Sequence, residues 1–411
     1  MMNKIILPLV FCVASSYAQA DTAPVASPTA ATLPVCQIVF DAGSSGTRLY
    51  IYQKQDNNWL EHPGPKVGAL ADPVREIRDK KHSDIDVVTT EVVSSLEAIK
   101  QDGSVNKKGN KEWPAFDWQA QCQVVSSMVY ATAGMRIAEQ ENPAKSVELW
   151  RNLKQKLQAK VGANVTVTTR TLTGFEEGLY AWLAVREKQE NNNFGIAEMG
   201  GASAQITFPC EKCDTKDDST KTVLVKNNPV KMFSYSFLGL GQDEAPKTLH
   251  LPKTCAYGVG LVEEGKAKKH QWESSDCAKK IDLEDKKGIV DPYNYKGKHR
   301  GTHRKIPSDL ADVNNNWLLT GAFNYMDDSQ IDSCCLHKGQ CFNEETACFR
   351  PIYLDKYLQS LNIPKTAQRM DASWTLGAVI CEADKCLQQA QTPVLVCHWS
   401  KKGCLGGASK E

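Results

Sequence analysis

Residues 38–51 decide the fold, and they read Ile38-Val39-Phe40-Asp41-Ala42-Gly43-Ser44-Ser45-Gly46-Thr47-Arg48-Leu49-Tyr50-Ile51. An apolar run ends on Asp41, turns through small residues and returns as an alternating strand, which predicts a β-hairpin. Gly43 and Gly46 allow φ > 0 and a close approach of a ligand to the backbone. Successive N–H groups at such a tip form a concavity that suits phosphate. Taken alone, the same residues would also suit a plain turn.

A second stretch repeats this pattern, and it reads Ile196-Ala197-Glu198-Met199-Gly200-Gly201-Ala202-Ser203-Ala204-Gln205-Ile206-Thr207. The two stretches align without a gap, and the aligned pairs are Asp41 with Glu198, Gly43 with Gly200, Ser44 with Gly201, Arg48 with Gln205, and Leu49 with Ile206. Such a repeat predicts two related lobes that face each other across a cleft. Phosphate would be held from both sides, with a cation between the two acids.

Length and composition are those of a globular protein with more than one domain. The chain has 411 residues, which exceeds what a single core usually holds, so two domains are expected. Hydrophobic residues make up 41% and charged residues 24% of the chain, as in ordinary globular proteins. The net charge is +1, so bulk electrostatics favours neither a nucleic-acid partner nor a membrane surface. Anion recognition must therefore be local.

The first twenty residues have the pattern of a cleaved signal peptide. Lys4 supplies the positive charge, Ile5–Val13 the short apolar core, and Ala18-Gln19-Ala20 the cleavage site before Asp21. Residues 21–34 then predict a linker. No later run approaches the ~20 apolar residues that a membrane span needs. We therefore expect export, with the protein secreted or periplasmic and without a membrane span.

The cysteines fit an oxidising compartment. Of fifteen cysteines, Cys12 lies in the expected signal peptide, and the remaining fourteen are an even number. Cys210-x-x-Cys213 allows either half of a metal knuckle or a disulfide, and an exported chain favours the disulfide. The spacing leaves the connectivity open.

Apolar spacing predicts further elements along the chain. These are a helix from an N-cap at Ser83 to Lys100, a strand at Cys122–Tyr130, a helix from Pro143 to Lys160 with Val147, Trp150, Leu153 and Leu157 on its buried face, helical segments at Trp317–Tyr325 and Pro351–Leu361, and a buried helix at Ser373–Ile380.

One predicted helix begins with two adjacent carboxylates. It is preceded by Thr171 and carries Glu176 and Glu177 in its first turn. Acids at a helix start are commonly charges that complement the helix dipole. Neighbouring residues on a helix point in different directions, however, so one carboxylate can reach the cleft. A carboxylate there would be a general base for water that attacks phosphorus.

Five segments in one order resemble the apyrase conserved regions of the ecto-nucleoside triphosphate diphosphohydrolases, with the closest likeness to soluble bacterial members. The segments are Asp41–Arg48, Ala131–Arg136, Gly174–Trp182, Glu198–Gln205 and Trp374–Ala378. The resemblance implies an α/β fold with two RNase H-like lobes of the actin-like superfamily and the active site between them. It places lobe I at 35–170 with a C-terminal return at 366–411, and lobe II at 171–365.

The resemblance also implies an activity and the residues for it. The activity is hydrolysis of the terminal phosphate of nucleoside tri- and diphosphates, and it depends on Mg²⁺ or Ca²⁺. It proceeds without a covalent intermediate. We also expect the protein to be a monomer. Glu177 matches the catalytic base, Ser203 and Gln205 the pair that positions the water, and Asp41 and Glu198 the acids that hold the hydrated cation. The matches to nucleotide- and phosphate-binding positions are Ser44, Ser45, Gly46, Thr47, Arg48, Thr132, Gly200, Gly201, Ala202 and, for the aromatic that stacks on the base, Tyr325.

The chain departs from the family pattern at two places. Glu198 stands where the family usually has Asp, and one extra methylene leaves the cation preference open. No arginine occurs near Gln359–Asn362, where some members place one against the base.

Two other functions stay open from the sequence. An exopolyphosphatase or a sugar kinase of the same superfamily would share the acid-tipped hairpins, although a kinase is disfavoured outside the cytosol. The second alternative is an exported nucleotide-binding module that has no catalytic activity. A P-loop enzyme is excluded because no Gly-x-x-x-x-Gly-Lys-[Ser/Thr] motif occurs.

Overall fold

Two mixed β-sheets carry the fold, and each is built around one of the two acid-tipped hairpins. The computed structural model describes residues 32–75, 84–105, 110–189, 191–251, 274–293, 302–307, 316–325, 349–388, 397–400 and 403–406. The described residues from position 34 onward form one compact unit. The expected signal peptide at 1–20, and residues 21–31 of the expected linker, lie outside the described residues.

Strands and helices both occur along most of the described chain. The strands are β1 Val35–Gly43, β2 Gly46–Gln55, β3 Asn58–Val67, β4 Gln123–Ala131, β5 Thr166–Thr171, β6 Gly195–Met199, β7 Ser203–Pro209, β8 Thr220–Val225, β9 Asn228–Leu238, β10 Glu284–Asp285, β11 Gly288–Asp291, β12 Thr302–Arg304, β13 Trp317–Gly321, β14 Gln368–Arg369, β15 Cys397–Ser400 and β16 Gly403–Gly406. The α-helices are α1 Ile85–Ala98, α2 Trp118–Gln121, α3 Ala133–Glu141, α4 Pro143–Val161, α5 Gly174–Arg186, α6 Ala245–Thr248, α7 Ser274–Lys280, α8 Phe349–Ser360 and α9 Trp374–Asp384.

The first sheet has the strand order β3-β2-β1-β4-β5. The strands β1, β2 and β3 are joined antiparallel, whereas β4 runs parallel to β1 and β5 runs parallel to β4. Alternate residues of β1, among them Ile38 and Phe40, pack with Val88 and Leu96 of α1 and Leu149 of α4 in one core. The helices therefore cover one face of this sheet, and Asp41 lies at the end of its central strand.

The second sheet repeats the same plan. Its order is β14-β13-β6-β7-β9-β8, so β6, β7 and β9 are joined antiparallel, and β13 and β14 continue parallel to β6. The strand β8 is an additional edge strand paired with β9. Two sheets with one shared strand order confirm the predicted α/β fold class of RNase H-like sheets. The boundaries of the two lobes stay a prediction.

Helix α9, late in the chain, packs against α5 and against β1 and β2 of the first sheet. It packs along α5, where Gly377 leaves no room for a side chain because the carbonyl oxygen of Tyr180 lies against it. Its Thr375 shares a hydrogen bond of 2.7 Å between hydroxyl oxygens with Tyr52 of β2. The same core also contains Trp182 of α5 and Trp374 of α9. This contact brings α5, and the acids at its start, close to the first sheet.

Three predictions about local structure were wrong in detail. Trp317–Tyr325 is not a helix: β13 runs through the middle of the second sheet and ends in a 3₁₀ turn at Ala322–Tyr325, because a short buried apolar run fits either structure. Val147 is 68% exposed, and Leu149 lies on the buried face of α4 instead. The N-cap of α1 is Asp84, whose carboxylate accepts from the backbone N–H groups of residues 86 and 87. Ser83 lies outside the described residues.

Disulfides join cysteines in three places among the described residues. The bridges are Cys36–Cys122, Cys210–Cys213 and Cys381–Cys386. The second bridge confirms the predicted disulfide in the Cys-x-x-Cys motif. In the part of the chain that the structure describes, no helix combines the length and the apolar character needed to cross a bilayer.

Candidate functional site

The first hairpin ends in a tight two-residue turn beside Asp41. In its ladder Asp41 pairs with Arg48, and Gly43 pairs with Gly46, which leaves Ser44 and Ser45 at the tip. Gly46 has φ +149°, and a Cβ there would overlap the Cε of Lys66, a residue of β3 that lies across it. Only glycine fits this position.

The second hairpin has the matching register. Glu198 pairs with Gln205 in the β6–β7 ladder, as Asp41 pairs with Arg48 in the first hairpin. Its wider tip, residues 200–202, is held by the segment that follows β9. The backbone N–H of Asp243 donates to the carbonyl of Gly201 at 2.8 Å, and that of Gly239 donates to Ala202 at 2.8 Å.

The two hairpin tips lie against each other. A Cβ built on Gly201 would overlap the Oγ of Ser44 and would lie 2.7 Å from Oδ2 of Asp243. The start of α3 closes the same space, since a Cβ on Gly134 would lie 3.0 Å from the Cα of Ser44. The buried Thr132, just before α3, makes no side-chain cap, so its hydroxyl is not used to begin the helix. The structure therefore brings the predicted phosphate-binding segments together.

The two acids at the start of α5 have different surroundings. Glu176 forms a capping box with Thr173 and accepts two hydrogen bonds from Arg170, at 2.9 and 2.8 Å. Glu177 is only 6% exposed and points to the hairpins instead. Glu176 is therefore a structural residue of the helix start, and Glu177 is the acid available for chemistry.

Arg136 of α3 is a site residue that the sequence analysis did not identify. Its guanidinium forms an ion pair with Glu177 and donates to Ser203 at 3.3 Å and to Ser236 at 3.0 Å. The amide of Gln205 donates to the same two hydroxyls, at 2.6 Å to Ser203 and 3.0 Å to Ser236. Glu177, Ser203 and Gln205, the predicted catalytic set, thus lie in one polar network around Arg136.

Three carboxylates share the space between the hairpins, and burial perturbs each of them. Burial raises the pKa of Asp41 to about 7; Arg48 opposes this rise, and the charge of Glu177 adds to it. Burial raises the pKa of Glu177 above its ordinary value, although Arg136 and Gln205 stabilise its charged form. Burial raises the pKa of Glu198 well above the usual range, and the charges of Glu177 and Asp41 add to the effect. The site favours an additional positive charge.

Several buried polar atoms of the site have no hydrogen-bond partner among the described residues. They are Oγ1 of Thr47, Nε of Arg136, Oε2 of Glu198 and Oε1 of Gln205. An unpaired buried group costs about 1–3 kcal/mol, and such groups gather where a ligand completes them.

The oxygens of Asp41 and Glu198 fit a hard cation, because Mg²⁺ and Ca²⁺ prefer carboxylate and water oxygens. The unpaired Oε2 of Glu198 is such an oxygen. Within the described ranges, no three Asp, Glu, His or Cys side chains converge closely enough to ligate a metal directly.

Two predicted binding residues lie at the rim of the site. Tyr325 ends the 3₁₀ turn after β13 and is 76% exposed, so one face of its ring is open to a ligand. Its hydroxyl lies within electrostatic reach of the exposed Arg48. The residues of both hairpins and the predicted aromatic therefore surround one region.

Comparison with known proteins places the chain in a family. The sequence profile of the GDA1/CD39 (nucleoside phosphatase) family matches residues 35–256. The chain is 25% identical over 235 residues to nucleoside-triphosphatase ntp-1 of Caenorhabditis elegans, covering 51% of this chain and 39% of that protein. It is 24% identical over 277 residues to ectonucleoside triphosphate diphosphohydrolase 5 of Gallus gallus, a match that covers 64% of this chain and 58% of that protein. It is 26% identical over 219 residues to probable apyrase 3 of Arabidopsis thaliana, a match that covers 52% of this chain and 42% of that protein. The matches span less than two thirds of each relative.

Solved structures resemble the chain more distantly. A nucleoside triphosphate hydrolase from Neospora caninum is 13% identical with a TM-score of 0.49, over 84% of this chain and 92% of that one. A Ppx/GppA family member from Aquifex aeolicus is 14% identical with a TM-score of 0.45, and the match covers 85% of this chain and 98% of that one. Likenesses at this level do not bear on activity. The profile match, which covers more than half of the chain and both hairpins, shows that the chain belongs to the GDA1/CD39 (nucleoside phosphatase) family.

Proposed function

We propose that this protein is an apyrase that hydrolyses the terminal phosphoanhydride bond of nucleoside tri- and diphosphates by direct attack of water. The observation that supports this most is a set of three neighbouring carboxylates. Asp41 and Glu198 belong to the two hairpins whose tips touch through Ser44 and Gly201, and Glu177 lies at the start of α5. Family membership and the names of the relatives, which include apyrases and nucleoside-triphosphatases, support the same substrate class.

Glu177 is the proposed general base. It is buried, it is not used by the helix cap, and its raised pKa brings its basicity closer to neutral pH, where a general base is most effective. Ser203 and Gln205 are hydrogen-bonded to each other and lie beside Glu177, so they can orient the attacking water. Arg136 keeps Glu177 in its charged, proton-accepting form.

Asp41 and Glu198 are the proposed acids for Mg²⁺ or Ca²⁺, held through water. The cation, when bound, would neutralise charge on the phosphoryl oxygens. Burial raises the pKa of both acids, the charge of Glu177 adds to each rise, and the charge of Asp41 adds to that of Glu198. A bound cation would stabilise the charged forms of both acids.

The remaining site residues are proposed to bind the nucleotide. The tip of the first hairpin, residues 44–48, and the tip of the second, residues 200–202, would hold phosphate from two sides together with the hydroxyl of Thr132. Tyr325, exposed at the rim, would stack on the base. Positioning of this kind supplies most of the catalysis in phosphoryl transfer.

A phosphate-release assay tests the proposal. ATP, ADP and inorganic polyphosphate are compared as substrates, each with Mg²⁺, with Ca²⁺ and with a chelator. We expect release from both nucleotides with either cation and none with chelator. Release from polyphosphate alone would instead identify an exopolyphosphatase, and nucleotide binding without any release would identify an inactive binding module.

We further propose that the protein is exported. Disulfides at Cys36–Cys122, Cys210–Cys213 and Cys381–Cys386 are typical of proteins that fold in an oxidising compartment. Fractionation of the producing cell, with an antibody against the protein, tests this proposal. Recovery in the cytosolic fraction with reduced cysteines would contradict it.

A further inference from the structure

A buried arginine outside the proposed site joins elements of the two sheets. The side chain of Arg75 is 8% exposed, and its guanidinium donates to the carboxylates of two residues. Nη1 donates to Oε1 of Glu244 at 2.6 Å, whereas Nε and Nη2 donate to the two oxygens of Glu141 at 3.3 and 3.2 Å. A planar guanidinium accepts few arrangements of its partners, so it restricts the relative position of the residues that carry these oxygens.

The backbone of Arg75 belongs to the core of the first sheet. It ends a turn in which the N–H groups of Val74 and Arg75 both donate to the carbonyl of Ala71 at 3.0 Å. Ala71 and Val74 pack in the same core as β1, β2, α1 and α4. The ammonium group of Lys145 on α4 also donates to the carbonyl of Pro73 at 3.1 Å. The guanidinium therefore extends from a fixed point on the first sheet.

Glu244 lies in the segment that supports the second hairpin. This support segment, residues 239–245, follows β9, and its backbone N–H groups at positions 239, 242, 243 and 244 donate to the carbonyls of residues 200–202 at 2.8–3.2 Å. A Cβ on Gly241 would overlap the backbone nitrogen of Ala202, so the two backbones are in direct contact. Glu244 itself is 3% exposed. Its buried carboxylate is thus connected to the tip of the second hairpin by the backbone.

Glu141 connects the same guanidinium to the first hairpin. It is the last residue of α3, whose first turn lies against the first hairpin tip, since a Cβ on Gly134 would lie 3.0 Å from the Cα of Ser44. The second tip also contacts Ser44. The contacts therefore form a closed path, which runs from the first tip along α3 to Arg75 and returns through the support segment and the second tip.

We propose that Arg75 is a positioning residue that, through Glu244, sets where the tip of the second hairpin lies relative to the first. Its effect on catalysis rests on the function proposed above, in which the two tips hold the terminal phosphoryl group between them. Catalysis by positioning is sensitive to small displacements, and a misplacement near 1 Å can lower the rate by about 10²-fold. A residue outside the phosphate site would therefore control kcat.

Burial of the pair favours a positioning role over a stabilising one. Removal of an arginine and a carboxylate from water offsets much of their mutual attraction, so a buried ion pair adds little to stability. Lys247 lies 3.6 Å from Glu244, but its side chain is 55% exposed, and exposed partners contribute weakly. Arg75 is therefore the partner that determines where this carboxylate lies.

Variants of the full chain test the proposal without leaving a buried charge unpaired. Arg75→Met alone would remove the main counter-ion of Glu244, so it is combined with Glu244→Gln, and Glu244→Gln is also made alone. Glu141→Gln is the matched control, because it changes the more exposed partner of Arg75 and keeps the contact with Glu244. Circular dichroism verifies that each variant is folded.

Two readouts separate position from stability. Hydrogen exchange followed by mass spectrometry measures local opening of the support segment, residues 239–245, against the β1 segment, residues 35–43. Phosphate release from saturating ATP with Mg²⁺ measures kcat of the folded protein. A loss of stability alone would change exchange in both segments alike and would leave kcat unchanged.

In the double variant, exchange in the support segment should be at least about 10-fold faster while β1 matches wild type. Its kcat should fall by about 10- to 100-fold. Glu244→Gln should change both readouts in the same direction but less, because the amide keeps an oxygen for Arg75. Glu141→Gln should change kcat by less than about 5-fold, as expected for an exposed ion pair.

Wild-type exchange in the support segment, or wild-type kcat, in the folded double variant would overturn the proposal. If the double variant does not fold, the same two readouts in Glu244→Gln decide. If wild type releases no phosphate from ATP, the proposed function fails, and the exchange comparison then supports or overturns the positioning role of Arg75 by itself.

Discussion

The guanidinium of Arg136 is paired with the carboxylate of Glu177, although the helices that carry the two residues pack on different sheets. Arg136 lies on α3, which packs on β1 and β4 of the first sheet, and Glu177 lies on α5, which packs on β7 and β9 of the second. The pair therefore couples the proposed general base to the packing between the two sheets. Loss of this ion pair should therefore change the pKa of Glu177 more than it changes the stability of the fold.

Replacement of Arg136 should shift the pH dependence of activity. Arg136 lowers the pKa of Glu177, so Arg136→Gln should raise that pKa and leave less of the base deprotonated at a given pH. The acidic limb of the kcat profile should move up by about 1 pH unit or more. Arg170→Gln is the control, because Arg170 is paired with Glu176 instead. An unshifted limb in Arg136→Gln would contradict the assignment.

Replacement of Glu177 should separate catalysis from binding. Glu177→Gln keeps the shape of the side chain but removes the base, so phosphate release should fall by about 10²- to 10⁴-fold while nucleotide binding persists. Glu176→Gln keeps a side chain that can complete the capping box but removes the charge that pairs with Arg170, so it should lower stability by about 1 kcal/mol or less and leave turnover near wild type. The reverse pattern would show that Glu176 is the base.

Asp41→Asn should stabilise the protein in the absence of a divalent cation. The pKa of Asp41 is about 7 in the folded protein and 3.8 in the unfolded chain. Between pH 3.8 and about 7, Asp41 is therefore protonated in the folded protein and ionised in the unfolded chain. The free energy of unfolding should thus fall as pH rises through this window, by at most about 4 kcal/mol, and stay low above it.

Denaturant unfolding from pH 4 to 8 in chelator measures this effect. The wild-type curve should fall toward neutral pH and the Asp41→Asn curve should stay higher, while Asp41→Asn loses activity with Mg²⁺ present. Parallel curves for the two proteins would show that the surroundings of Asp41 in the folded protein do not raise its pKa.

A methyl group on Gly201 should separate the two hairpin tips. In Gly201→Ala the new Cβ would overlap Oγ of Ser44, so the tips must move apart, and kcat/KM should fall by about 10²-fold, as for a misplacement near 1 Å. Gly162→Ala is the matched control. No atom lies within 4 Å of its Cβ, and φ +95° there should cost stability without affecting turnover. Equal turnover in both variants would contradict the contact between the tips.

The sequence predicted those parts of the fold that depend on local pattern. Both predicted hairpins are present, because an acid next to small residues and an alternating strand leaves little choice of pairing. The different surroundings of Glu176 and Glu177 also follow from neighbouring positions on a helix. The helix predicted at Trp317–Tyr325 was wrong because a run of four buried residues does not distinguish a central strand from a helix.

The residues that the sequence analysis missed depend on long-range contacts. Arg136 was within a quoted motif, but its partner Glu177 is 41 positions away and no local signal links them. Ser236 had no signal at all.

The matched register of the two hairpins has a consequence for how a substrate enters. The same ladder position carries a guanidinium in one hairpin, at Arg48, and an uncharged carboxamide in the other, at Gln205. A duplicated scaffold with identical ends would accept a phosphate chain in either orientation. This chain instead has a cationic side chain at one hairpin and a neutral one at the other. Under the proposed function, we therefore expect only one orientation of the phosphate chain to be productive.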